Sequence, residues 1–379
     1  MNPTPEDLKF MRHALQLAAR GRGCTSPNPM VGAVLVRGGR VLGQGWHHRA
    51  GAPHAEVEAL QAAREAGLSP RGATLYVTLE PCCTTGRTPP CTEAIIQAGI
   101  RRVVVAATDP NPAHAGRGYA VLRQAGIRVD APVLAEQAAR LNWAFNHWVV
   151  QGTPAITVKA AMTLDGKLAD ARGQSRWITG ERARAQGMKL RAAHDAIVVG
   201  VNTVLADDPA LTLRAPQLRR RLHPWRRIIL DPQARTPVSA RVLQPAEHTE
   251  TILVVGPKAP KKRLAELAAC AVVWEMPLTP QGFDLLQLLR RLGAMEITAL
   301  LVEGGGETQA AFLLQGWAQR VAFFYAPIIL GGHASRRAVA GQGAAGWNEV
   351  LHLKHCRWRR LGQDWLLEAE VAVRPEDPS

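Results

Sequence analysis

Segments with the periodicity of strands and helices alternate along the whole chain, and the alternation breaks once, at Gly152-Thr153-Pro154. Alternation of this kind builds α/β layers with mainly parallel sheets. Before the break come an amphipathic helix (DLKFMRHALQLAARG) and two strands joined through Gly38-Gly39 (VGAVLVRGGRVLGQGWH). Helix HAEVEALQAAREAG, strand ATLYVTLEP, helix CTEAIIQAG, strand RRVVVAA and helix RGYAVLRQAG follow. After the break, strand AITVKAAMTLDG opens a second series: helix ERARAQGMKLRAAH, strand AIVVG, the irregular VNTVLADDPALTLR, and strands RRIILD and TILVVG. The series closes with helices RLAELAA and FDLLQLLRRLG, strand ITALLVEGGG, helix ETQAAFLLQG and strand RVAFFYAPIIL. At 379 residues the chain is longer than the roughly 250–300 that one core supports. We place the boundary within Phe145–Thr153 and read residues 1–146 and 147–379 as two domains, each large enough to fold alone.

Composition narrows what such a chain can meet. Apolar residues at 47% and charged residues at 20% supply buried cores and exclude long disorder. No window approaches the ~18 apolar residues needed to cross a bilayer. The segment MNPTPEDLKFMRHALQ carries acids and lacks the apolar stretch of an export signal. The expectation is a protein of the reducing cytoplasm with no membrane partner. The net charge of +15 comes mostly from arginine, whose planar fork suits phosphate, so nucleic acid, a phosphorylated metabolite and a phosphate-bearing cofactor all fit. The clusters Arg219–Arg227, Lys261–Arg263 and Arg357–Arg360 are short and far apart, and each reads as solvated surface. The apolar strand RVAFFYAPIIL could furnish a subunit contact in a homo-oligomer.

Chemistry is concentrated in two strings, His54-Ala55-Glu56 and Pro81-Cys82-Cys83 with Cys91 beyond. One imidazole and two thiolates leave tetrahedral zinc a fourth position for water, as catalytic rather than structural sites do. Bound there, water ionises near neutral pH, and Glu56, two residues from the histidine and outside the metal shell, is placed to carry the proton. His54 and Cys91 each open a helix, and helix N-termini favour thiolate over thiol. Adjacent side chains diverge, so only one of Cys82 and Cys83 reaches the metal, and position favours Cys82. In the second half, Glu303-Gly304-Gly305-Gly306-Glu307 closes an apolar strand and opens a helix, a turn able to hold an anion on its backbone N–H groups. Gln309 stands where the dinucleotide fingerprint has its third glycine, so the run by itself is a weak signal.

The strings SPNPMVGAVLV, GWHHRAGAPHAE, TLEPCCTTGRTPPCTEAI and VVVAATDPNPAHAGRG resemble the deaminase half of the bifunctional riboflavin-biosynthesis deaminase-reductases. Eight residues separate Cys82 from Cys91, as in that branch, where other zinc nucleobase deaminases have two. The resemblance implies a cytidine-deaminase-like α/β/α domain with zinc on His54, Cys82 and Cys91 and with Glu56 as proton donor. Its substrate would be a pyrimidine bearing ribosylamino 5-phosphate. Cys83 and Thr84 stand where many members have Ser and His. Resemblance also places Asn28 in the pocket; a plain turn residue before Pro29 is the equal alternative.

The strings VKAAMTLDGKLA, SRWITG, RAAHDAIVVGVNTVLADDPALTLR and LLVEGGGETQAAFL resemble the reductase half of the same family, a dihydrofolate-reductase-like α/β fold that uses NADPH. The resemblance implies that, at matching positions, Ala161, Trp177, Thr203, Asp207, Gly305 and Gly306 contact NADPH, and that Ser175, Arg191, Leu211, Arg214 and Glu303 hold the substrate. Arginine forks suit its 5-phosphate. Pro232 stands where some members have a serine that bonds the cofactor. No proton donor for the reduction can be named from the sequence. Two rivals share parts of this pattern. A tRNA deaminase fused to a reductase-like domain needs a channel of arginines and aromatics, and aromatics are only 5% of the chain. A binding protein with a structural zinc needs a fourth ligand, for which Cys83 is the local candidate.

Overall fold

The computed structural model describes residues 3–85, 89–175, 177–213 and 221–372, and divides the chain into two compact units, one ending at Gly152 and the other starting at Thr153. In the first unit the order is α1 (Pro5–Ala18), β1 (Gly32–Arg37), β2 (Arg40–Trp46), α2 (Ala55–Glu65), β3 (Thr74–Val77) and α3 (Cys91–Gln97). Then come β4 (Arg102–Val105), α4 (Arg117–Gln124), β5 (Arg128–Asp130), α5 (Ala135–Leu141) and α6 (Trp143–Gln151). The sheet order is β2-β1-β3-β4-β5, with β1 antiparallel to its neighbours and β3, β4 and β5 parallel. Alternate residues of β1 serve two cores, which is why the strand is apolar throughout. Ala33 and Leu35 pack with residues of α2, α3 and α4, whereas Val34 and Val36 pack with Phe10, Met11 and Ala14 of α1. The result is a three-layer α/β/α unit. Position 147 falls inside α6, so the compact units part at the end of that helix.

The second unit begins with β6 (Ala155–Thr163), β7 (Lys167–Ala169), α7 (Glu181–Ala192), β8 (Ala196–Gly200), α8 (Val201–Asp207), β9 (Trp225–Leu230), β10 (Thr249–Val255) and α9 (Lys261–Ala268). It continues through β11 (Val272–Glu275), β12 (Leu278–Thr279), β13 (Gly282–Phe283), α10 (Leu285–Ala294), β14 (Ala299–Val302) and α11 (Gly306–Leu314). Last are β15 (Arg320–Ala326), β16 (Arg336–Arg337), β17 (Leu353–Leu361) and β18 (Asp364–Val371). The main sheet runs β11-β10-β9-β8-β14-β6-β15-β18-β17, parallel from β11 to β15 and antiparallel over the final hairpin. In open sheets of this type ligands bind beyond the carboxyl ends of the strands, where the connections diverge. Here β8 and β14 are such neighbours.

Two expectations change. The stretch VNTVLADDPALTLR contains a helix, α8: Val201 and Val204 bury one side of it, and Asp208 ends it with φ 41°. The basic cluster Arg219–Arg227 is not uniformly solvated surface. Residues 219 and 220 lie outside the described residues, but Arg226 and Arg227 are 7% and 2% exposed on interior strand β9. Arg226 pairs with Glu250 at 2.9 Å. Arg227 donates to Thr251 Oγ1 at 2.8 Å and to the carbonyls of Ala210 and Gln244, both at 3.1 Å, and burial pushes its guanidinium down to about 10. The segment RVAFFYAPIIL forms β15, which lies inside the sheet between β6 and β18, and ends in the exposed apolar residues Ile328, Ile329 and Leu330.

Candidate active sites

In the first unit two helix N-termini and one strand end meet. His54 is the N-cap of α2 and Cys91 the first residue of α3, after Pro90. Cys82 follows β3, in a segment held by Glu80. That buried carboxylate accepts from the backbone N–H groups of Asp109, Gly116 and Gly118 at 2.9–3.2 Å, clamping the α4 N-terminus to the strand end. Gly118 is required there, because a Cβ would lie 2.2 Å from the Pro81 carbonyl oxygen. The outcome is a convergent donor set: His54 Nδ1, Cys82 Sγ and Cys91 Sγ lie within 4.8 Å of one another. Among the described residues Cys83 does not join it. His54 Nδ1 is 3.2 Å from Cys91 Sγ and 3.5 Å from Cys82 Sγ, and the Cys91 backbone N–H donates to Cys82 Sγ at 3.3 Å. Hydrogen bonds from the Cys91 thiol and from His54 hold the Cys82 thiol down to about 4, while the same contact pushes Cys91 up. One imidazole and two sulfurs at this separation are the donor set of a tetrahedral zinc site with one open position.

Glu56 sits in the first turn of α2 and is 3% exposed. Burial pushes its carboxyl up to about 7, against the pull of His54. A carboxyl poised there takes and returns a proton at neutral pH. Asn28 does meet the site's margin. Its Nδ2 is 3.1 Å from Nε2 of buried His47, whose ring packs edge-on against His54 at 5.3 Å between centroids. His47 Nδ1 is 3.1 Å from the Pro53 carbonyl, so the ring donates there and Nε2 accepts from Asn28. Burial holds His47 down to about 4, consistent with that neutral tautomer. His47 is a residue the sequence reading passed over.

In the second unit Glu303 follows β14 and is nearly buried. Arg191 of α7 donates to its carboxylate through Nε at 3.0 Å and also through Nη2, and Lys159 Nζ of β6 lies 3.6 Å from its other oxygen. Burial alone raises a carboxyl; the two cations outweigh it and hold Glu303 at about 2. Lys159 had no role in the sequence reading, although a lysine in the middle of an apolar strand is itself a signal. Ala161 follows it on the same face of β6. Beside them Thr203 Oγ1 of α8 accepts from the Gly305 N–H at 3.1 Å, and the Ser175 hydroxyl donates to Asp207 at 3.4 Å. Thr203 and Asp207 are four residues apart and so share one face of α8.

Gly305 precedes α11, and a Cβ built on it has no neighbour closer than Thr203 Oγ1 at 3.8 Å, so the turn is open to a ligand. Gly306 faces the other way, where a Cβ would lie 2.2 Å from the Arg337 carbonyl oxygen, and its small size serves packing. Trp177 is 73% exposed with the Arg184 guanidinium 4.6 Å above its ring. Leu211 is buried beside Val199 and Ile229, and its carbonyl accepts from Trp225 Nε1 at 2.9 Å, so its side chain belongs to the core. Arg214 lies outside the described residues. An open glycine turn and a helix N-terminus beyond a parallel sheet suit the pyrophosphate of a dinucleotide.

The family profile described as the RibD C-terminal domain matches residues 154–367, and the cytidine and deoxycytidylate deaminase zinc-binding region matches residues 4–107. The riboflavin biosynthesis protein RibD of Aquifex aeolicus is 43% identical over 362 residues, covering 95% of this chain and 97% of its own. This chain belongs to the RibD family. The RibD protein of Escherichia coli K12 is 42% identical over 343 residues, covering 87% and 90% of the two chains. Among solved structures, Acinetobacter baumannii RibD superimposes with a TM-score of 0.85 at 36% identity, covering 97% of this chain and 99% of its own. A Thermotoga maritima structure described as a diaminohydroxyphosphoribosylaminopyrimidine deaminase/5-amino-6-(5-phosphoribosylamino)uracil reductase gives 0.82 at 34%, with the same coverage. As a RibD enzyme the chain is a bifunctional deaminase and reductase of riboflavin biosynthesis, with zinc and NADPH as cofactors. Among the described residues no helix is long and apolar enough to cross a membrane.

Proposed function

We propose that the first unit hydrolyses the amino group from 2,5-diamino-6-ribosylamino-4(3H)-pyrimidinone 5′-phosphate and that the second reduces the ribosyl group of the product to ribityl, in the cytoplasm. The observation that carries the reading is the convergence of His54, Cys82 and Cys91 within 4.8 Å beside a buried carboxyl, Glu56. His54, Cys82 and Cys91 hold zinc, which when bound supplies a Lewis acid that activates water at neutral pH. Glu56 accepts a proton from the attacking water and returns it to the leaving ammonia, a task suited to a carboxyl near 7. His47 fixes the Asn28 amide so that its N–H faces the ring and its carbonyl oxygen is left to the pocket.

In the reductase, Thr203, Asp207, Ala161, Trp177 and the Gly305-Gly306 turn hold NADPH, the hydride donor. Ser175, Arg191, Arg214 and Glu303 hold the substrate, with any contact from Leu211 made by its backbone. Glu303 holds the Lys159 ammonium beside it at 3.6 Å, and Lys159 supplies the proton that hydride addition to the opened sugar requires. The test is metal analysis of the purified full chain combined with assays of ammonia release and NADPH consumption on the phosphorylated pyrimidine. Zinc at one equivalent with both activities is expected. Steep, salt-sensitive RNA affinity with no turnover of the pyrimidine would instead favour a nucleic-acid deaminase.

A further inference from the structure

Helix α7 begins where the buried Asp364, first residue of β18, accepts from the Gly180 N–H at 2.7 Å. Just before it Thr179 is buried, and its carbonyl accepts from Arg184 Nη1 at 2.7 Å. On the other side Ser175 is tied to α8, its hydroxyl donating to Asp207 at 3.4 Å. Trp177 stands between these pinned points, yet its side chain is 73% exposed and no core locks the ring. An indole left in water samples several rotamers, and a ligand that needs one of them loses affinity to the selection.

Arg184 removes that freedom. Side chains of a helix lean toward its N-terminus, so a residue at the start of α7 reaches back over Gly180. From there one guanidinium makes two contacts: Nη1 bonds the Thr179 carbonyl, and the planar group lies 4.6 Å from the centroid of the Trp177 ring. The hydrogen bond fixes the fork to a buried residue, and the fork fixes the indole through the attraction of a cation for a π face. The place of Arg184 on α7 ties this stack to the reductase site. Arg191, which holds Glu303, lies seven residues on and shares its face of the helix. Gly187 stands between them, and a Cβ built there would lie 4.0 Å from Lys159 Cε. One face of the indole is taken by the guanidinium, and its high exposure leaves the other open to a second flat group.

Resting on the reading that Trp177 contacts NADPH, we propose that Arg184 is a positioning residue of the reductase: anchored on the Thr179 carbonyl, it presets the Trp177 indole as a platform for a ring of the dinucleotide. It acts on the cofactor through the indole alone.

The test is equilibrium binding of NADPH to the zinc-loaded full chain, followed by cofactor fluorescence. On the same variants kcat is measured for reduction of 5-amino-6-(5-phosphoribosylamino)uracil, together with the denaturant unfolding midpoint. Arg184→Met keeps an apolar stem and removes the fork; it is expected to raise Kd for NADPH about three- to tenfold while kcat at saturating cofactor and the unfolding midpoint hold. Arg184→Lys, which restores charge without the planar fork, recovers part of the loss. Trp177→Ala raises Kd at least as far, and adding Arg184→Met to it brings no further rise. A rise from Arg184→Met as large in the Trp177→Ala background as in the wild type overturns the proposal, because the arginine then acts without the indole. So does a rise matched by a lowered unfolding midpoint, which would make Arg184 a support of the fold. If Trp177→Ala raises Kd while Arg184→Met leaves it unchanged, the positioning role alone is wrong; if Trp177→Ala leaves it unchanged, the reading of Trp177 as a cofactor contact fails as well.

Discussion

Glu303 receives the Arg191 guanidinium and faces the Lys159 ammonium at 3.6 Å, so one buried carboxylate ties α7, β6 and the end of β14 together. Removing its charge leaves two partly buried cations without a counter-ion, which costs about 3 kcal/mol of stability. Glu303→Gln is therefore expected to lower the unfolding midpoint of the reductase unit and to cut its kcat/KM roughly a hundredfold. Ammonia release should be untouched. Denaturant melts and separate assays of the two steps check this, and loss of ammonia release in parallel would show that Glu303 serves more than the reductase.

The deaminase makes the converse prediction. Glu56→Gln keeps the shape of the side chain and removes the proton carrier, so ammonia release falls by roughly 10²–10⁴. Zinc content stays at the wild-type level, because Glu56 is not among the converging donors. NADPH oxidation on the already deaminated intermediate continues. If both activities vanish in a folded, zinc-loaded variant, the assignment of one reaction to each unit is wrong.

Cys82 and Cys83 are neighbours with opposite expected behaviour. Cys82→Ser, like Cys91→Ser, removes a thiolate from the donor set and is expected to yield protein with little zinc and no ammonia release. Cys83→Ser should retain both. Metal analysis after dialysis against a mild chelator separates the three variants, and zinc loss on changing Cys83 would redraw the site as a closed, structural one.

The metal set was legible because the strings His54-Ala55-Glu56 and Pro81-Cys82 with Cys91 beyond carry one imidazole, two thiols and a carboxylate in a pattern few other chemistries need, and the structure places His54 and Cys91 at helix starts and Cys82 beyond β3. The strand–helix alternation was legible because strands such as β1 and β8 are short apolar runs, opened by Gly32 in one and closed by Gly200 in the other. What could not be read were partners far apart in sequence. Nothing local ties Arg191 to Glu303, 112 residues on, or Arg235 to Asn202. The burial of Arg226 and Arg227 was hidden because charge count says nothing about carbonyls waiting beside an interior strand. Helix α8 was missed because Val201 and Val204 are poor helix formers by propensity, and tertiary burial overrides that preference.

Stability of the first unit should carry an acid-sensitive contribution traceable to one carboxylate. Asp7, buried in α1, closes a capping box with Thr4, accepts from the Tyr76 hydroxyl at 3.0 Å, and receives two nitrogens of Arg102 at 2.8 and 3.0 Å. Burial alone would raise its pKa, but the Arg102 and Thr4 bonds prevail and hold it near about 2. Because the folded value lies below the unfolded one, near 3.9, the bonds stabilise fully above that pH. Their contribution, about 2 kcal/mol, fades as pH falls from 4 toward 2. Asp7→Asn cannot ionise, so the variant is expected to be less stable at pH 7 and to lose this slope. Urea denaturation followed across pH 2–7 measures both; a variant whose acid slope matches the wild type would assign the sensitivity to another group, such as Asp130, which shares Arg102.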